Sequence, residues 1–273
     1  MIIDTHAHVA VKSLLSRSVC AIDRKMPILP IEDLFAQMDQ HGVSHAVLVQ
    51  WGMSWDHHYV ARCLTDFPAR LAVVGLLDEA RDDACSVLED MVRLHNFCGI
   101  RIGTTTRSPG ARSLAIWEKA AELDIVVSAS ARKSKDFADG LEEVMRQLPK
   151  LKVRIEHLAR VPYREGAPHP DFDRVLRLAD YENVYCNIDG FYSHQYPDHS
   201  EYSQYPFTEY APFVKQAVDA FGADRCMWGS EFPFVNNGYD VGIRFIGEAC
   251  DFLSDDQRKA ILGKTAEKLW GFS

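Results

Sequence analysis

The sequence predicts an α/β fold, a (β/α)8 TIM barrel formed by one domain that spans residues 1–273. The prediction rests on the chain length, on the alternation of strand-like and helix-like segments, and on the number of such pairs, which is eight. Barrels of this kind commonly have about 250 residues in a single domain. No linker, low-complexity segment or close internal repeat interrupts the chain, so we expect one domain.

The predicted strands are short apolar runs, many of them rich in β-branched residues. They cover residues 1–4, 46–49, 71–76, 98–102, 125–127, 153–155, 184–188 and 226–228. Runs this short and this uniformly apolar are typical of strands that are buried on both faces, as in a parallel sheet. No glycine-rich phosphate loop follows the first strand, which disfavours the open dinucleotide-binding alternative.

A helix-like segment follows each predicted strand. The helices cover about residues 31–41, 56–67, 82–95, 112–123, 136–148, 172–179 and 209–221, and further helices continue to Trp270. Gly42 ends the first helix, because glycine readily adopts the left-handed conformation found beyond many helix ends. Alternating strands and helices indicate a parallel sheet, and eight repeats indicate its closure into a barrel.

The composition excludes several classes of protein. Hydrophobic residues make up 47% of the chain and charged residues 25%, as in ordinary globular proteins. The net charge of −9 argues against nonspecific nucleic-acid binding, which needs clustered cations. There is no membrane-spanning apolar run and no signal-like N-terminus, so we expect a cytoplasmic protein. The seven cysteines are scattered without a Cys-X-X-Cys pair, which favours reduced thiols.

Polar residues that directly follow the predicted strands are the candidates for an active site, because the site of such a barrel lies where its strands end. They are His6, His8, Gln50, Trp51, Asp78, Glu79, Arg101, Ser128, Ser130, Arg132, His157, Asp189, Tyr192, Ser230 and Glu231. The three histidines among them and Glu231 are expected to converge from strands one, six and eight. For Asp78, Glu79 and Asp189 we favour a role as caps of helices or turns.

The pair His6 and His8 ends the first strand, and side chains two residues apart in a strand point the same way. Two neutral imidazoles aimed at one point suit a divalent metal or a shared polar substrate. The long connection after strand seven, about residues 190–208, is rich in Tyr, His, Ser and Pro. A loop of this length is usually a lid or a substrate-binding segment.

Four motifs resemble those of the amidohydrolase superfamily, and the resemblance covers nearly the whole chain. They are Asp4–His8, Ile155–Leu158, Trp228–Pro233 and Ile261–Ala266. The chain is most similar to the amidohydrolase-related branch, which holds pyrone-dicarboxylate lactonases, sugar lactonases and nonoxidative decarboxylases. This resemblance implies a barrel-mouth active site whose substrate is a small molecule.

The resemblance also implies roles for single residues. His6 and His8 would face the metal or the substrate, and His157 would contact substrate or polarise the bond to be broken. Glu231 stands where the family usually has Asp, the residue that binds metal and takes a proton from water. Glutamate carries its carboxylate about one methylene further than aspartate does.

A second departure concerns the metal. Metal-dependent members carry a histidine or a modified lysine at the end of strand four or five, whereas strand five here ends in Ser128-Ala129-Ser130. His6, His8 and Glu231 would still give a zinc or manganese ion three protein ligands, with His157 as a further candidate. Lactonases of the branch are understood to work without a metal, so sites with and without one both stay open.

The function predicted from these residues is hydrolysis of a lactone or similar ester-like ring. Glu231 would deprotonate water, and the three histidines, directly or through a metal, would stabilise the oxyanion. Arg101 and Arg132 would bind substrate carboxylates, because a guanidinium fork matches a carboxylate in two bonds. Aromatic and imidazole side chains would wall the pocket, namely Trp51, Trp55, Tyr192 and His194.

Two alternatives stay open at this point. A metal-dependent nonoxidative decarboxylase of the same branch would use the same barrel mouth, although the missing strand-five ligand counts against it. A non-catalytic ligand-binding descendant would also fit, because Glu231 replaces the family aspartate. A homo-oligomer is compatible with the fold, and neither a nucleic acid nor a membrane is expected as a partner.

Overall fold

The computed structural model describes residues 1–11, 28–51, 55–193 and 204–272. In this part of the chain eight parallel strands form one sheet, and each strand pairs with the next along the sequence. The strands are β1 (Ile3–Ala7), β2 (His45–Val49), β3 (Leu71–Leu76), β4 (Gly99–Gly103), β5 (Val126–Ser130), β6 (Val153–Ile155), β7 (Val184–Ile188) and β8 (Cys226–Trp228). The predicted (β/α)8 TIM barrel is confirmed.

The last strand returns to the first, and the sheet becomes a nearly closed barrel. A parallel bridge joins Ala7 to Phe232, and the amide of His8 donates to the Phe232 carbonyl at 2.8 Å. The amide of Glu231 donates to the carbonyl of His6, also at 2.8 Å. We call this junction between β1 and β8 the seam. Its hydrogen bonds lie at the end of the barrel where His6 of β1 and Glu231 after β8 are located.

Helices surround the sheet in the predicted order. They are α1 (Ile31–Gln40), α2 (His58–Asp66), α3 (Ala84–His95), α4 (Ala115–Glu122), α5 (Ser134–Gln147), α6 (Pro170–Leu176), α7 (Ala211–Phe221), α8 (Val241–Arg244), α9 (Asp255–Lys259) and α10 (Thr265–Trp270). Two π-helical stretches, Phe245–Ala249 and Ala260–Lys264, continue α8 and join α9 to α10. The bounds differ from the predicted ones by a few residues, as helix ends commonly do.

The strands are buried on both faces, because every residue of β1, β2 and β7 is buried. The main apolar cluster joins strand residues to helix residues such as Trp117 of α4 and Phe213 of α7. A smaller cluster combines alternate residues of β2 and β3 with Trp270 of α10. This two-sided burial is what the uniformly apolar runs predicted.

Two further expectations concern the cysteines and the membrane. Within the described ranges the six cysteines are all free thiols, as predicted, and Cys20 lies outside those ranges. No helix in the described part of the chain has the length and apolar character needed to cross a bilayer.

Candidate active site

Four ionisable side chains from four different strands meet at the carboxyl-terminal end of the barrel. His6 lies in β1, while His157, Asp189 and Glu231 follow β6, β7 and β8. Each contributes one nitrogen or oxygen atom to a group whose members lie within 4.8 Å of one another, and all four residues are buried. The structure thus brings together three of the residues expected to converge and Asp189, for which the sequence favours a role as a cap.

The two histidines face the two carboxylates through their Nδ1 atoms. Oε1 of Glu231 lies 3.3 Å from Nδ1 of His6 and 3.3 Å from Nδ1 of His157. The Asp189 carboxylate lies 3.4 Å from the first of these nitrogens and 3.1 Å from the second. Each carboxylate therefore contacts both imidazoles, which makes the four side chains one electrostatic unit that we call the His–carboxylate cluster.

An unusual backbone conformation places two members of the cluster. Residues 157–160 all have positive φ, between 46° and 56°, and Glu231 has φ of 63°. This left-handed region is disfavoured for residues with a Cβ, and such strain concentrates at functional sites. The amide of His157 donates to Oδ1 of Asp189 at 2.7 Å, which holds the turn after β6 against the end of β7.

Two glycines make room for the cluster. Gly190 has φ of +82°, and a Cβ added there would lie 2.6 Å from Nδ1 of His157. A Cβ added at Gly229 would lie 2.7 Å from Cβ of His6 and 2.8 Å from Oδ2 of Asp189. Both histidines pack directly against backbone, so any larger residue at positions 190 or 229 would displace them.

Asp4 ties the start of β1 to the turn after β8. Its carboxylate accepts hydrogen bonds from the Ser230 amide at 2.8 Å, the Ser230 hydroxyl at 2.6 Å and the Tyr239 hydroxyl at 2.9 Å. It also accepts from the His6 amide at 3.1 Å. These bonds lie beside His6 and Glu231, and they fix both residues at the seam of the barrel.

The charges within the cluster shift its pKa values. Burial alone would raise the pKa of Asp189, but the hydrogen bond from His157 and the charges of His157 and His6 hold it well below its ordinary range. Burial alone would lower the pKa of His6, yet the charges of Glu231 and Asp189 raise it above its usual value. At neutral pH the cluster therefore favours an ionised Asp189 beside an imidazole that retains its proton more readily than usual.

A second charged group lies beside the cluster and involves Arg101. Its guanidinium donates to Oε2 of Glu156 from Nη2 at 2.6 Å and from Nε at 3.0 Å. Nη2 of Arg101 also lies 3.5 Å from Nε2 of His157. Arg101 thus lies next to the cluster, and its ion-pair partner is the buried Glu156. Substrate binding by Arg101 stays a prediction.

His8 lies next to the cluster but is not one of its four members. Its Nδ1 is 2.8 Å from the carbonyl oxygen of Val49, so Nδ1 carries the proton and donates it. Burial, reinforced by the charges of His6 and Arg101, lowers the pKa of His8 well below its usual range. Its Nε2 is therefore a lone-pair acceptor, which suits a metal ion or a substrate hydroxyl and does not suit direct donation to an oxyanion.

The remaining predicted binding residues have different surroundings. Trp51 is half-buried, with its ring centroid 5.9 Å from that of Phe234, which in turn lies 5.8 Å from His8. Tyr192 is buried, and its hydroxyl donates to the Gly229 carbonyl, so its described contact supports the end of β8.

Three residues proposed for the pocket lie further out or are not described. Arg132 follows β5 and is exposed, and Trp55 is 40% exposed. His194 lies outside the described residues, as does the central part of the long loop after β7.

The cluster has the properties of a divalent-metal site. Nδ1 and Nε2 of His6 and Oε1 of Glu231 are buried and form no hydrogen bond to any described part of the chain. Buried polar atoms normally have hydrogen-bond partners, so these three atoms are available to bind an ion. Two imidazoles and two carboxylates are a donor set that zinc and manganese accept. The residues present therefore fit a divalent ion.

Sequence reasoning underrated two residues of this site. The sequence favours a role of Asp189 as a cap, whereas its carboxylate contacts both histidines of the cluster. Its place directly after β7, at the end of the barrel where His157 also follows β6, is the available signal. No sequence pattern indicates Glu156, since a residue adjacent to His157 in a regular strand points to the opposite face.

Comparison with known proteins agrees with this geometry. A family model described as amidohydrolase matches residues 3–272. The L-fucono-1,5-lactonase of Burkholderia ambifaria is 27% identical over 255 residues, which cover 86% of this chain and 82% of that protein. A putative 2-pyrone-4,6-dicarboxylic acid hydrolase from Pseudomonas putida superposes with a TM-score of 0.79 at 25% identity, covering 100% of this chain and 98% of that one. A zinc-bound amidohydrolase structure from Burkholderia multivorans, at 18% identity, superposes with a TM-score of 0.79 over 100% of both chains and shares the fold.

Proposed function

This chain belongs to the amidohydrolase family, and we propose that it is a hydrolase that opens a lactone or similar ester-like ring of a carboxylate-bearing small molecule. The observation that carries the proposal is the His–carboxylate cluster, in which Oε1 of Glu231 is buried without a hydrogen bond to any described residue. A buried carboxylate oxygen 3.3 Å from two imidazole nitrogens is placed to take a proton from an attacking water. The similarity to a sugar lactonase and to a pyrone-dicarboxylate hydrolase supports the same substrate class.

Glu231 is the proposed general base. Its amide is fixed to the His6 carbonyl, and its left-handed backbone aims the side chain at the cluster. Water that attacks the lactone carbonyl would lose its proton to the Glu231 carboxylate. The same proton would then pass to the ring oxygen as its bond to the carbonyl carbon breaks, which opens the ring to a hydroxy acid. The longer side chain of glutamate reaches the two imidazoles at 3.3 Å, so the change from the family aspartate does not remove the carboxylate from the site.

The histidines would bind and polarise the reacting ester. His157 and His6 each place Nδ1 3.3 Å from the Glu231 oxygen, where an imidazole N–H can stabilise negative charge that develops on the reacting ester. His8 would accept a hydrogen bond from a substrate hydroxyl or ligate a metal through Nε2.

His6, His157, Asp189 and Glu231 would hold a divalent ion, with His8 beside them. A zinc or manganese ion at this place supplies Lewis-acid polarisation of the ester carbonyl. The carboxylates and imidazoles would then share their charges with the ion as well as with one another, and the proton would still move to the Glu231 carboxylate.

The outer part of the site would set substrate binding. Arg101 would bind a substrate carboxylate beside His157, and Arg132 would contact a more distant acidic group from the rim. Trp51, Tyr192 and His194 complete the proposed substrate-binding residues. We further propose that residues 1–273 form one barrel domain and that the protein is cytoplasmic. Its partners would be its small-molecule substrate and, in a homo-oligomer, further copies of the chain, with neither a nucleic acid nor a membrane as a partner.

The test is acid release from a panel of lactones, followed with a pH indicator at constant pH. The panel pairs sugar lactones with carboxylated pyrones, and a parallel assay follows carbon dioxide release from hydroxybenzoates. We expect acid release from at least one lactone and no carbon dioxide. Release of carbon dioxide alone would assign the decarboxylase alternative, and inactivity on every compound would favour the non-catalytic alternative.

A further inference from the structure

Glu156 is a fully buried carboxylate that the proposed reaction does not use. It follows β6 and precedes His157. Oε2 of Glu156 accepts two hydrogen bonds from Arg101, from Nη2 at 2.6 Å and from Nε at 3.0 Å. One edge of the Arg101 guanidinium is therefore committed to Glu156.

The other oxygen of Glu156 is held as firmly. Oε1 accepts from the Ser128 hydroxyl at 2.6 Å and lies 3.6 Å from Nη2 of Arg154. Arg154 is fully buried and also donates to the Ser128 hydroxyl oxygen and to the Thr5 carbonyl. The Glu156 carboxylate is thus clamped between strands β4, β5 and β6, and cationic neighbours outweigh burial and lower its pKa to about 2.

The free end of Arg101 faces a different environment. Nη1 has no hydrogen-bond partner among the residues that the structure describes, and the side chain retains 16% exposure. The neighbouring Nη2 lies 3.5 Å from Nε2 of His157. Nη1 is therefore an available donor next to the cluster.

Charge explains why such a clamp matters. Arg101 is attracted by Glu231 and Asp189 as well as by Glu156. Without Glu156, the guanidinium would be drawn toward the two cluster carboxylates and would compete with the ligand there. Glu156 is closer and accepts two hydrogen bonds from Arg101. It therefore keeps the guanidinium beside the cluster instead of within it.

We propose that Glu156 is a positioning residue that makes the site selective for carboxylate-bearing ligands by fixing Arg101 with Nη1 free. This inference rests on the proposed lactone hydrolysis for its kinetic test. Ser128 supports Glu156, and Arg101 is the group that touches the ligand. The structural alternative is an ion pair that only stabilises the barrel.

The kinetic experiment compares two lactones that differ only in a ring substituent, a carboxylate in one and the isosteric primary amide in the other. The ratio of their kcat/KM values measures selectivity for the charge. We expect Glu156→Gln to lower this ratio about tenfold, the size of one misplaced charged hydrogen bond. Ser128→Ala removes one support of Glu156, and we expect it to lower the ratio about threefold.

Glu143→Gln is the matched control, since Glu143 pairs with Arg107 at 2.8 Å outside the cluster. Its ratio should equal that of the wild type. Adding Glu156→Gln to Arg101→Gln should lower the ratio no further than Arg101→Gln alone, because Glu156 acts through Arg101. A structural role would instead lower kcat/KM for both lactones equally and leave the ratio unchanged.

Calorimetric titration with malate, a hydroxy dicarboxylate, tests the same inference without turnover. We expect about tenfold weaker binding to Glu156→Gln than to the wild type. If the wild type hydrolyses no lactone, the proposed function fails while the titration still decides the role of Glu156. If Glu156→Gln does not fold, Ser128→Ala decides alone. An unchanged ratio and an unchanged malate affinity in the folded variants would overturn the inference.

Discussion

The imidazoles of His6 and His157 stack with ring centroids 4.9 Å apart and an interplanar angle of 29°, although they come from opposite halves of the chain. Both point Nδ1 at the same oxygen of Glu231, at 3.3 Å in each case. The two rings therefore act on one carboxylate from adjacent positions. A substitution at any of these three residues should change the positions and the electrostatic surroundings of the other two side chains.

Replacing Glu231 by Gln removes the proposed proton acceptor and keeps the shape of the side chain. We expect kcat for the best lactone to fall by about 10²- to 10⁴-fold, the usual contribution of a general base. Glu231→Asp retains the carboxylate on a shorter side chain, and its kcat should lie between those of Glu231→Gln and the wild type. Steady-state kinetics on the three proteins would measure the order. A Glu231→Gln variant that retains more than a tenth of the wild-type kcat would remove Glu231 from the role of base.

Asp189→Asn should weaken zinc binding, because the carboxylate is both a candidate ligand and the group that orients His6 and His157. We expect wild-type protein stripped with a chelator to bind one zinc ion per chain, and the variant to bind it about 10- to 100-fold more weakly. Calorimetric titration of the stripped proteins with zinc measures this without an activity assay. Asp78→Asn is the control, since Asp78 accepts a hydrogen bond from the Ala80 amide in a turn after β3. Equal zinc affinity in all three proteins would contradict the role of Asp189.

Gly190→Ala should destabilise the protein more than Gly110→Ala does. Both glycines have φ near +80°, so both substitutions carry a similar backbone strain of about 1 kcal/mol. Only at position 190 would the new Cβ meet another side chain, that of His157 at 2.6 Å, whereas nothing lies within 4 Å at position 110. We expect a further loss of about 1–3 kcal/mol of unfolding free energy, measured by urea denaturation. Equal losses would show that His157 moves aside without cost.

His57 should make stability depend on pH. Burial lowers its pKa from 6.5 to about 4, and its Nε2 accepts a hydrogen bond from the Leu76 amide at 3.0 Å. The folded state thus resists protonation of His57. Its contribution is complete above pH 6.5, the unfolded value, and is lost as the pH falls toward 4.

The measurement is urea unfolding between pH 7 and pH 4. Relative to His57→Gln, wild-type protein should lose roughly 3 kcal/mol over this interval, because a pKa lowered from 6.5 to about 4 corresponds to that free energy. His58→Gln is the control, since the His58 side chain is 81% exposed. Parallel pH curves for the wild type and His57→Gln would rule out this contribution.

The barrel could be predicted from the sequence because its strands are local signals. Each is an apolar run whose length and composition do not depend on distant residues, and the structure places all eight within a few residues of the predicted bounds. The candidate histidines followed from the same logic, since strand ends of a barrel share one face.

The environment of the site could not be predicted in the same way. Glu156 and His157 are neighbours in sequence and both contact the site, although strand alternation would separate them. The left-handed backbone at His157, with φ of 56°, breaks that alternation. The pairing of Arg101 with Glu156 joins strands β4 and β6, and it depends on side-chain packing that no local pattern encodes.

The seam between β1 and β8 has a consequence for a chain that is still being synthesised. A nascent chain that ends before residue 226 can contain seven strands, yet it lacks Glu231, the bridge to Phe232 and the Ser230 partners of Asp4. The first strand of the barrel must therefore wait for the last one before its open edge is paired. Such distant pairing is slow to form, so the His–carboxylate cluster should assemble only after β8 and the turn that follows it have been synthesised and have docked.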